Sequence, residues 1–398
     1  MTAPTTRRPS STWLSREDCN IAEFRALVEV PTDLADYPLA DAVDRNVLIY
    51  GSTLRAALAA GTDAGTDLRD IKAELVHALM DGPGIVVFKH AYPDTAVIDR
   101  ATAAFDELIA EQKAAGVTGG DHFAPPGAND RVWNALEKLA VHRPEVFADY
   151  YANDIVALAS AAWLGPNYQV TSALNVVNPG GKAQTAHRDY HLGFMPLATA
   201  AAFPAHVHQL SPVLTLQGAV AHCDMPIETG PTMYLPNSQK YLPGYLATDL
   251  PEFTEYFQAN YVQLPLEKGD VVFFNPALFH GAGTNHSVDV KRMANLLQVS
   301  SAFGRALETV DRVTVCTAVY PTLLTRKQAG AGEQELRTII AAAAEGYPFP
   351  TNLDLDQPIG SLNPETQAEL TWRALQENWD HQTYVAALTA QHVRHQSV

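Results

Sequence analysis

Apolar residues in the first half of the chain recur with the three- and four-residue spacing of amphipathic helices. Asp67 is suited to cap a helix whose apolar face runs to Leu79, and the Gly-Pro-Gly sequence that follows ends it. The short apolar run Ile85–Phe88 predicts a buried strand, and a second amphipathic helix is expected over residues 94–116. The pattern therefore predicts a helix, a strand and a helix in succession.

The segments on either side of this unit are less regular. Residues 1–65 mix polar stretches with short apolar patches, which indicates an irregular or partly helical extension. Glycine and proline predict a loop at 119–127, which is as suited to wall an active site as to serve as a surface connector. Two more helices are expected over 130–141 and 144–164. Residues 66–167 are therefore predicted to form a helical region that packs on the core.

From Tyr168 the apolar pattern changes to alternation, and β-branched residues become frequent. Predicted strands cover residues 169–177, 183–189, 213–223, 232–235, 262–266, 270–275 and 292–302. Many short strands at this spacing are typical of a sandwich or jelly roll. Residues 168–302 are the predicted core, and 303–398 a mixed region with helices at 332–345 and from Asn363, with Pro364 at the first helical position. We expect one mainly β domain with helical additions.

Composition and charge narrow the class of protein. Of the 398 residues, 47% are hydrophobic and 18% charged, and the formal net charge is −17. This charge, without any block of basic residues, argues against nucleic acid and anionic membranes as partners. The three cysteines form no C-x-x-C pair and no apolar run suits a signal peptide or a membrane span, so we expect a cytoplasmic protein. A small molecule is the expected partner, and the terminal additions are candidate surfaces for a homodimer.

Candidate metal ligands come from two distant segments. His187 and Asp189 form an H-x-D triplet at a predicted strand end, where alternate side chains point to the same face. His280, at the end of an apolar strand, is the best candidate for a third ligand. Two imidazoles and a carboxylate form the facial triad of non-haem Fe(II) oxygenases, which leaves coordination positions open for O₂ and a chelating cosubstrate.

Arg292 begins the next predicted strand after His280. Its guanidinium is suited to grip a carboxylate through two parallel hydrogen bonds, and a dicarboxylate such as 2-oxoglutarate would suit both the arginine and the metal. A second pair, His206 and His208, has cupin-like spacing but lacks the glutamate and glycine that cupins usually place just after it. The first set of residues is therefore the preferred site.

Residues 169–302 resemble the phytanoyl-CoA dioxygenase family of Fe(II)- and 2-oxoglutarate-dependent oxygenases. The matching features are the H-x-D triplet, the segment Glu-Thr-Gly-Pro-Thr-Met-Tyr-Leu-Pro-Asn-Ser-Gln, the Lys-Gly-Asp turn, the sequence His-Gly-Ala-Gly-Thr-Asn, and Arg292. The resemblance implies a double-stranded β-helix, a jelly roll whose mouth holds iron through His187, Asp189 and His280. It also implies that Arg292 holds the distal carboxylate of 2-oxoglutarate and that Thr232 helps to bind this cosubstrate.

Two positions depart from the family pattern. Ala282 stands where the family often has serine, and Lys291 stands where its arginine commonly lies. Arg292 is preferred because a one-residue loop insertion is easily absorbed and because arginine offers the bidentate fork. Asp189 favours hydroxylation or a related oxidation, since related halogenases have alanine or glycine in its place.

The expected function is thus the oxidation, with Fe(II), 2-oxoglutarate and O₂, of a C–H bond in a small organic metabolite. Candidate substrate contacts lie on or next to predicted strands, where the register decides the face: Asn175, His191, Gln217 and Arg305. The alternative is a cupin-like metal-binding jelly roll that acts as an isomerase or binds a ligand. The cosubstrate arginine distinguishes the two.

Overall fold

The computed structural model describes residues 12–61, 67–116 and 129–397, so the predicted loop at 119–127 lies outside the described residues. The helices are α1 Ile21–Val28, α2 Ser52–Ala60, α3 Leu68–Met80, α4 Ala96–Ala114, α5 Ala135–His142, α6 Pro144–Tyr151, α7 Asp154–Leu164, α8 Leu197–Ala201, α9 Ala205–Leu210, α10 Pro251–Asn260, α11 Arg312–Gln328, α12 Glu333–Ala343, α13 Gln367–Gln376 and α14 His381–His395. The strands are β1 Ala42–Asp44, β2 Val47–Tyr50, β3 Ile85–Phe88, β4 Asn129–Val132, β5 Gln169–Val177, β6 Thr215–Ala221, β7 Met233–Leu235, β8 Val271–Phe274, β9 Phe279–Gly281 and β10 Arg292–Ser300.

Eight of these strands form one sheet in the order β1-β2-β3-β8-β6-β10-β5-β4. Strands β2 and β3 pair in parallel, and the other neighbours are antiparallel. Strands β7 and β9 form a second, smaller sheet. Single bridges extend it on both sides, from His187 to His280 and from Tyr234 to Val262. Residues of both sheets line one cavity.

Strand β10 shows how the large sheet separates the core from the cavity. Met293, Leu297 and Val299 are buried in the main hydrophobic cluster with the surrounding helices. Arg292 and Gln298 alternate with them and line the cavity on the opposite face, as the two-residue period of a strand requires. The alternation that buries Met293, Leu297 and Val299 therefore places Arg292 and Gln298 toward the cavity.

Helices cover the outer face of the large sheet, and the expectation of a mainly β chain is not confirmed. Residues of α3 to α7 and α11 to α14 share one hydrophobic cluster with β5, β6 and β10. The helix α11 alone has 17 residues, nearly twice the length of the longest strands. Among the described residues, no helix is both long and apolar enough to span a bilayer.

Several predicted elements were wrong in position. The helix expected over 130–141 is replaced by β4, which pairs with β5, and by α5, because the left-handed backbone of Asn134 separates the two. The last predicted helix start at Asn363 lies too early, since Thr366 and Glu369 form a capping box that begins α13. The strand expected over 183–189 is reduced to the single bridge at His187.

Candidate metal centre and cavity

A cavity of about 650 Å³ lies between the two sheets. One part of its wall is apolar, with Val87, Leu264 and Leu266 among its residues, and another part carries the predicted ligands together with amide and charged side chains. A mostly apolar cavity with a few polar groups in fixed positions is typical of small-molecule sites.

The side chains of His187, Asp189 and His280 meet at this cavity. The Nε2 atom of His280 lies 3.2 Å from Oδ2 of Asp189, and Nε2 of His187 lies 3.6 Å from Oδ1. One candidate ligand atom from each residue lies within 4.8 Å of those of the other two. Such a spacing allows a single ion to contact all three groups.

Backbone contacts fix both imidazoles. The Nδ1 atom of His187 lies 2.8 Å from the carbonyl of Thr185, and Nδ1 of His280 lies 2.8 Å from the carbonyl of Leu278. Because a carbonyl can only accept, each Nδ1 carries the proton and each Nε2 keeps its lone pair for a metal. Reciprocal backbone hydrogen bonds between His187 and His280 hold the two residues side by side.

The carboxylate of Asp189 is held in its ionised form. Burial raises its pKa, but the contacts with the His280 and His187 rings and the hydrogen bond from Gln217 outweigh burial and bring the pKa down to about 2. Burial, followed by the charge of His280, lowers the pKa of His187. The centre therefore favours an ionised carboxylate beside a neutral His187, which is the protonation state that a metal requires.

Arg188 lies between two of the candidate ligands but points away from the cavity. Its Nη2 donates to the carbonyls of Ser238 and Tyr241 at 2.6 and 2.9 Å. The guanidinium lies over the rings of Tyr245 and Phe279, with Cζ 5.0 and 5.2 Å from their centroids. The side chain is 3% exposed. Arg188 thus connects the H-x-D triplet, through hydrogen bonds, to the segment that contains Ser238 and Tyr241.

Arg292 is buried at the cavity wall without an acidic partner. Its Nη1 donates to the carbonyls of Thr229 and Gly283 at 2.9 and 3.3 Å, and within residues 12–61, 67–116 and 129–397 no carboxylate forms an ion pair with it. Burial lowers its pKa to about 10, so the group stays charged at neutral pH. Thr232 and Tyr234 line the same cavity, and the Thr232 side chain is a hydrogen-bond partner of Tyr234.

The structure brings some of the predicted substrate contacts to the cavity and leaves others outside it. Asn175 and Gln217 line the wall, whereas His191 and Arg305 do not. His191 would share the face of Asp189 only if the predicted strand continued past residue 189, and it does not, because Tyr190 and His191 adopt positive φ. The His191 ring turns to the hydroxyl of Thr215, 3.3 Å away. Arg305 is exposed on the segment that follows β10.

Sequence reasoning missed other polar residues of the wall. Gln298 lines the cavity, and its position on the same alternating face of β10 as Arg292 was a usable signal. Glu308 comes from the irregular segment after β10, and no sequence pattern pointed to it. Arg131 could be expected at the mouth of the site from its place after the predicted loop, but it lies on β4, a strand where a helix was expected.

Comparison with known proteins identifies the family. Residues 72–294 match the model of the family described as Phytanoyl-CoA dioxygenase (PhyH), which spans more than half of the chain. The chain belongs to the phytanoyl-CoA dioxygenase family. It is therefore an oxidoreductase of the Fe(II)- and 2-oxoglutarate-dependent oxygenase class, with Fe(II) as cofactor and 2-oxoglutarate and O₂ as cosubstrates. Among curated proteins, no relative matches this chain.

Solved structures that resemble the chain share little sequence with it. One is the non-heme alpha ketoglutarate dependent carbocyclase SnoK from nogalamycin biosynthesis, with 22% identity and a TM-score of 0.43, covering 60% of this chain and 87% of that one. AviO1 from Streptomyces viridochromogenes Tue57 has 21% identity and a TM-score of 0.37, covering 53% and 87%. HygX from Streptomyces hygroscopicus, with nickel, 2-oxoglutarate and hygromycin B bound, has 14% identity and a TM-score of 0.40, covering 58% and 89%.

Proposed function

We propose that this protein is an Fe(II)- and 2-oxoglutarate-dependent dioxygenase that hydroxylates, or otherwise oxidises, a C–H bond of a small organic metabolite. His187, Asp189 and His280 hold the iron, and Arg292 holds the distal carboxylate of 2-oxoglutarate with Thr232 beside it. The two facing sheets act as a double-stranded β-helix that presents these residues to one cavity.

The observation that carries the proposal is the isolated charge of Arg292. A guanidinium removed from water without a counter-ion costs several kcal/mol unless a ligand compensates it. The two carbonyls that contact Arg292 use only part of its fork, so donors remain for a carboxylate. An anionic ligand in the cavity would supply the missing partner, and a dicarboxylate would reach the metal with its other end.

The donor set fits iron. Two imidazoles whose Nε2 atoms lie beside the ionised carboxylate of Asp189 form a 2-His-1-carboxylate set that lines the cavity. When bound, Fe(II) supplies O₂ activation coupled to the conversion of 2-oxoglutarate to succinate and CO₂. The chain itself orients the ligands through the carbonyls of Thr185 and Leu278 and holds the Asp189 carboxylate through Gln217.

Family membership and the buried arginine both favour this function over the cupin-like alternative. A cupin that isomerises or binds a neutral ligand does not need a guanidinium without an acidic partner in the same cavity as the metal. A volume of about 650 Å³ also suits a small-molecule substrate together with the cosubstrate.

The test is the succinate that the iron-loaded enzyme forms from 2-oxoglutarate in air. Arg292→Met should raise the KM for 2-oxoglutarate by about a hundredfold or more, because a charge-assisted bidentate contact is lost. The matched control is Lys291→Met, since Lys291 is the adjacent exposed cation. Asp189→Ala should abolish turnover. The proposal would be contradicted if Lys291→Met, rather than Arg292→Met, raised the KM, or if neither variant did.

A further inference from the structure

We infer that the substrate is an uncharged molecule that presents hydroxyl groups to a set of hydrogen-bond acceptors beside the metal centre. This inference rests on the proposed function and names the substrate class of the same cavity. The acceptor set consists of four cavity-lining side chains, Asn175, Gln217, Gln298 and Glu308.

Each member of the acceptor set has an oxygen without a hydrogen bond. In the part of the chain that the structure describes, Oδ1 of Asn175, Oε1 of Gln217, Oε1 of Gln298 and Oε2 of Glu308 are shielded from solvent and accept no donor. Buried polar atoms are nearly always hydrogen-bonded. The Tyr190 hydroxyl, which lines the same cavity and contacts Gln298, is one donor within the chain, and the other acceptors favour a ligand that supplies hydroxyl donors. The terminal torsions of amides and carboxylates are broad, and a small rotation brings such an oxygen to a ligand.

Gln217 connects the acceptor set to the metal centre. Its Nε2 donates to Oδ2 of Asp189, and because a carboxylate only accepts, the orientation of the amide is settled. The Oε1 atom of Gln217 therefore lies on the side of the amide away from Asp189. Gln298 is the direct partner of Gln217 across β6 and β10, and its side chain is 6% exposed. The two amides thus form one acceptor surface next to the iron ligands.

Glu308 adds a carboxylate whose second oxygen is unused. Its Oε1 accepts the backbone N–H of Asn134 at 2.7 Å, which holds the side chain at the start of α5. Burial raises the pKa of Glu308, while the contact with Asn134 and the charge of Arg131 lower it. A hydroxyl donor would satisfy Oε2 without adding a charge.

The charges around the cavity select an uncharged ligand. Glu308 and Arg131 bring opposite charges to the same cavity, and the charge of Arg131 already acts on the Glu308 carboxyl group. A charged substrate group would therefore meet a like charge as well as an opposite one, and it would have no counter-ion of its own to offset its desolvation. The apolar residues of the same cavity, Leu264 and Leu266 among them, suit an apolar carbon framework. A hydroxylated ring or chain suits both kinds of lining residue.

Three probes with the same ring test whether the cavity prefers an uncharged, a cationic or an anionic ligand. They are trans-1,4-cyclohexanediol, trans-4-aminocyclohexanol and trans-4-hydroxycyclohexanecarboxylate. Each is added anaerobically to the enzyme with Fe(II) and 2-oxoglutarate, and its dissociation constant is taken from the change in the visible absorption band of that complex. The diol should bind at least tenfold more tightly than the other two. Gln298→Leu should weaken diol binding about tenfold.

Glu308→Gln keeps the oxygen that accepts from Asn134 but removes the charge. It should reduce the preference for the diol over the hydroxy acid, a change that a purely structural role of Glu308 would not produce. The control is Glu137→Gln, because Glu137 accepts the backbone N–H of Asp311 outside the cavity lining. That variant should leave all three constants unchanged.

The outcomes distinguish this inference from the proposed function. If the wild-type enzyme forms no absorption band with Fe(II) and 2-oxoglutarate, the proposed function fails. If the band forms but the diol does not perturb it, or the amino alcohol or the hydroxy acid binds as tightly as the diol, the substrate class is wrong and the oxygenase function stands.

Discussion

The guanidinium of Arg188 fills the space beside Gly244, where a side-chain methyl group would lie 2.0 Å from the Arg188 Cζ atom. Glycine is required here by the close approach of a buried cation. Because Arg188 lies between two of the candidate iron ligands, the absence of a side chain at position 244 helps to set the position of the metal centre.

Gly244→Ala should therefore both destabilise the fold and displace the ligands of the candidate metal centre. Overpacking of a dense interior typically costs about 1–3 kcal/mol of the free energy of unfolding, and displacement of Arg188 should lower the affinity for Fe(II). Urea unfolding and an Fe(II) titration measure the two effects. Gly304→Ala is the control, because its methyl group would lie 3.5 Å from the nearest atom of Leu214, an ordinary contact. Equal behaviour of the two variants would count against this role of Gly244.

Arg188→Met should weaken Fe(II) binding about 10- to 100-fold, the usual effect of losing a group that orients metal ligands. Methionine preserves some of the packing on Tyr245 and Phe279 but leaves the carbonyls of Ser238 and Tyr241 without their donor. The control is Arg337→Met, which loses the contact of the guanidinium with the Trp372 ring. Neither of these residues lines the cavity. An unchanged Fe(II) affinity in a folded Arg188→Met protein would contradict the prediction.

His222 should make the stability of the protein depend on pH. It is 4% exposed and contacts the hydroxyls of Thr102 and Tyr150 at 2.9 and 2.8 Å. Burial lowers its pKa to about 3, from an ordinary value near 6.5. Between these values the unfolded chain binds a proton that the folded protein does not, so His222 makes the free energy of unfolding decrease as the pH falls.

The variant His222→Gln lacks this titration and should lose the corresponding part of the pH dependence. The effect of His222 should reach about 3 kcal/mol at pH 4 relative to neutral pH, at roughly 1.4 kcal/mol for each pKa unit of difference. Urea unfolding of both proteins from pH 7 to pH 4 measures it. Parallel curves for the two proteins would show that His222 is protonated in the folded state or that it does not titrate.

The sequence predicted much of the core because alternation and turn residues are local signals. Ile85–Phe88 and Gln169–Val177 form strands with the predicted bounds, and α3 begins after its predicted cap, Asp67. His187, Asp189, His280 and Arg292 were selected because their residue types suit a metal and a carboxylate ligand, and the structure brings all four to one cavity.

The cavity residues that the sequence did not predict correctly depend on tertiary contacts that no local pattern encodes. Arg131 lies on a strand because β5 offers it an edge to pair with, although its segment reads as a helix. Glu308 reaches the cavity from an irregular segment that is fixed by a contact with α5. His191 does not share the face of Asp189 because Tyr190 and His191 itself adopt positive φ, so strand alternation does not continue through them.

The most direct test of the central claim is an anaerobic titration of the protein with Fe(II) and 2-oxoglutarate, followed by the weak visible metal-to-ligand charge-transfer band. The wild type should develop the band, His187→Ala should abolish it, and Arg292→Met should require far more 2-oxoglutarate to reach the same intensity. No band in a folded, iron-loaded wild-type protein, or a band that both variants leave unchanged, would contradict the assignment of this cavity as an Fe(II)- and 2-oxoglutarate-dependent active site.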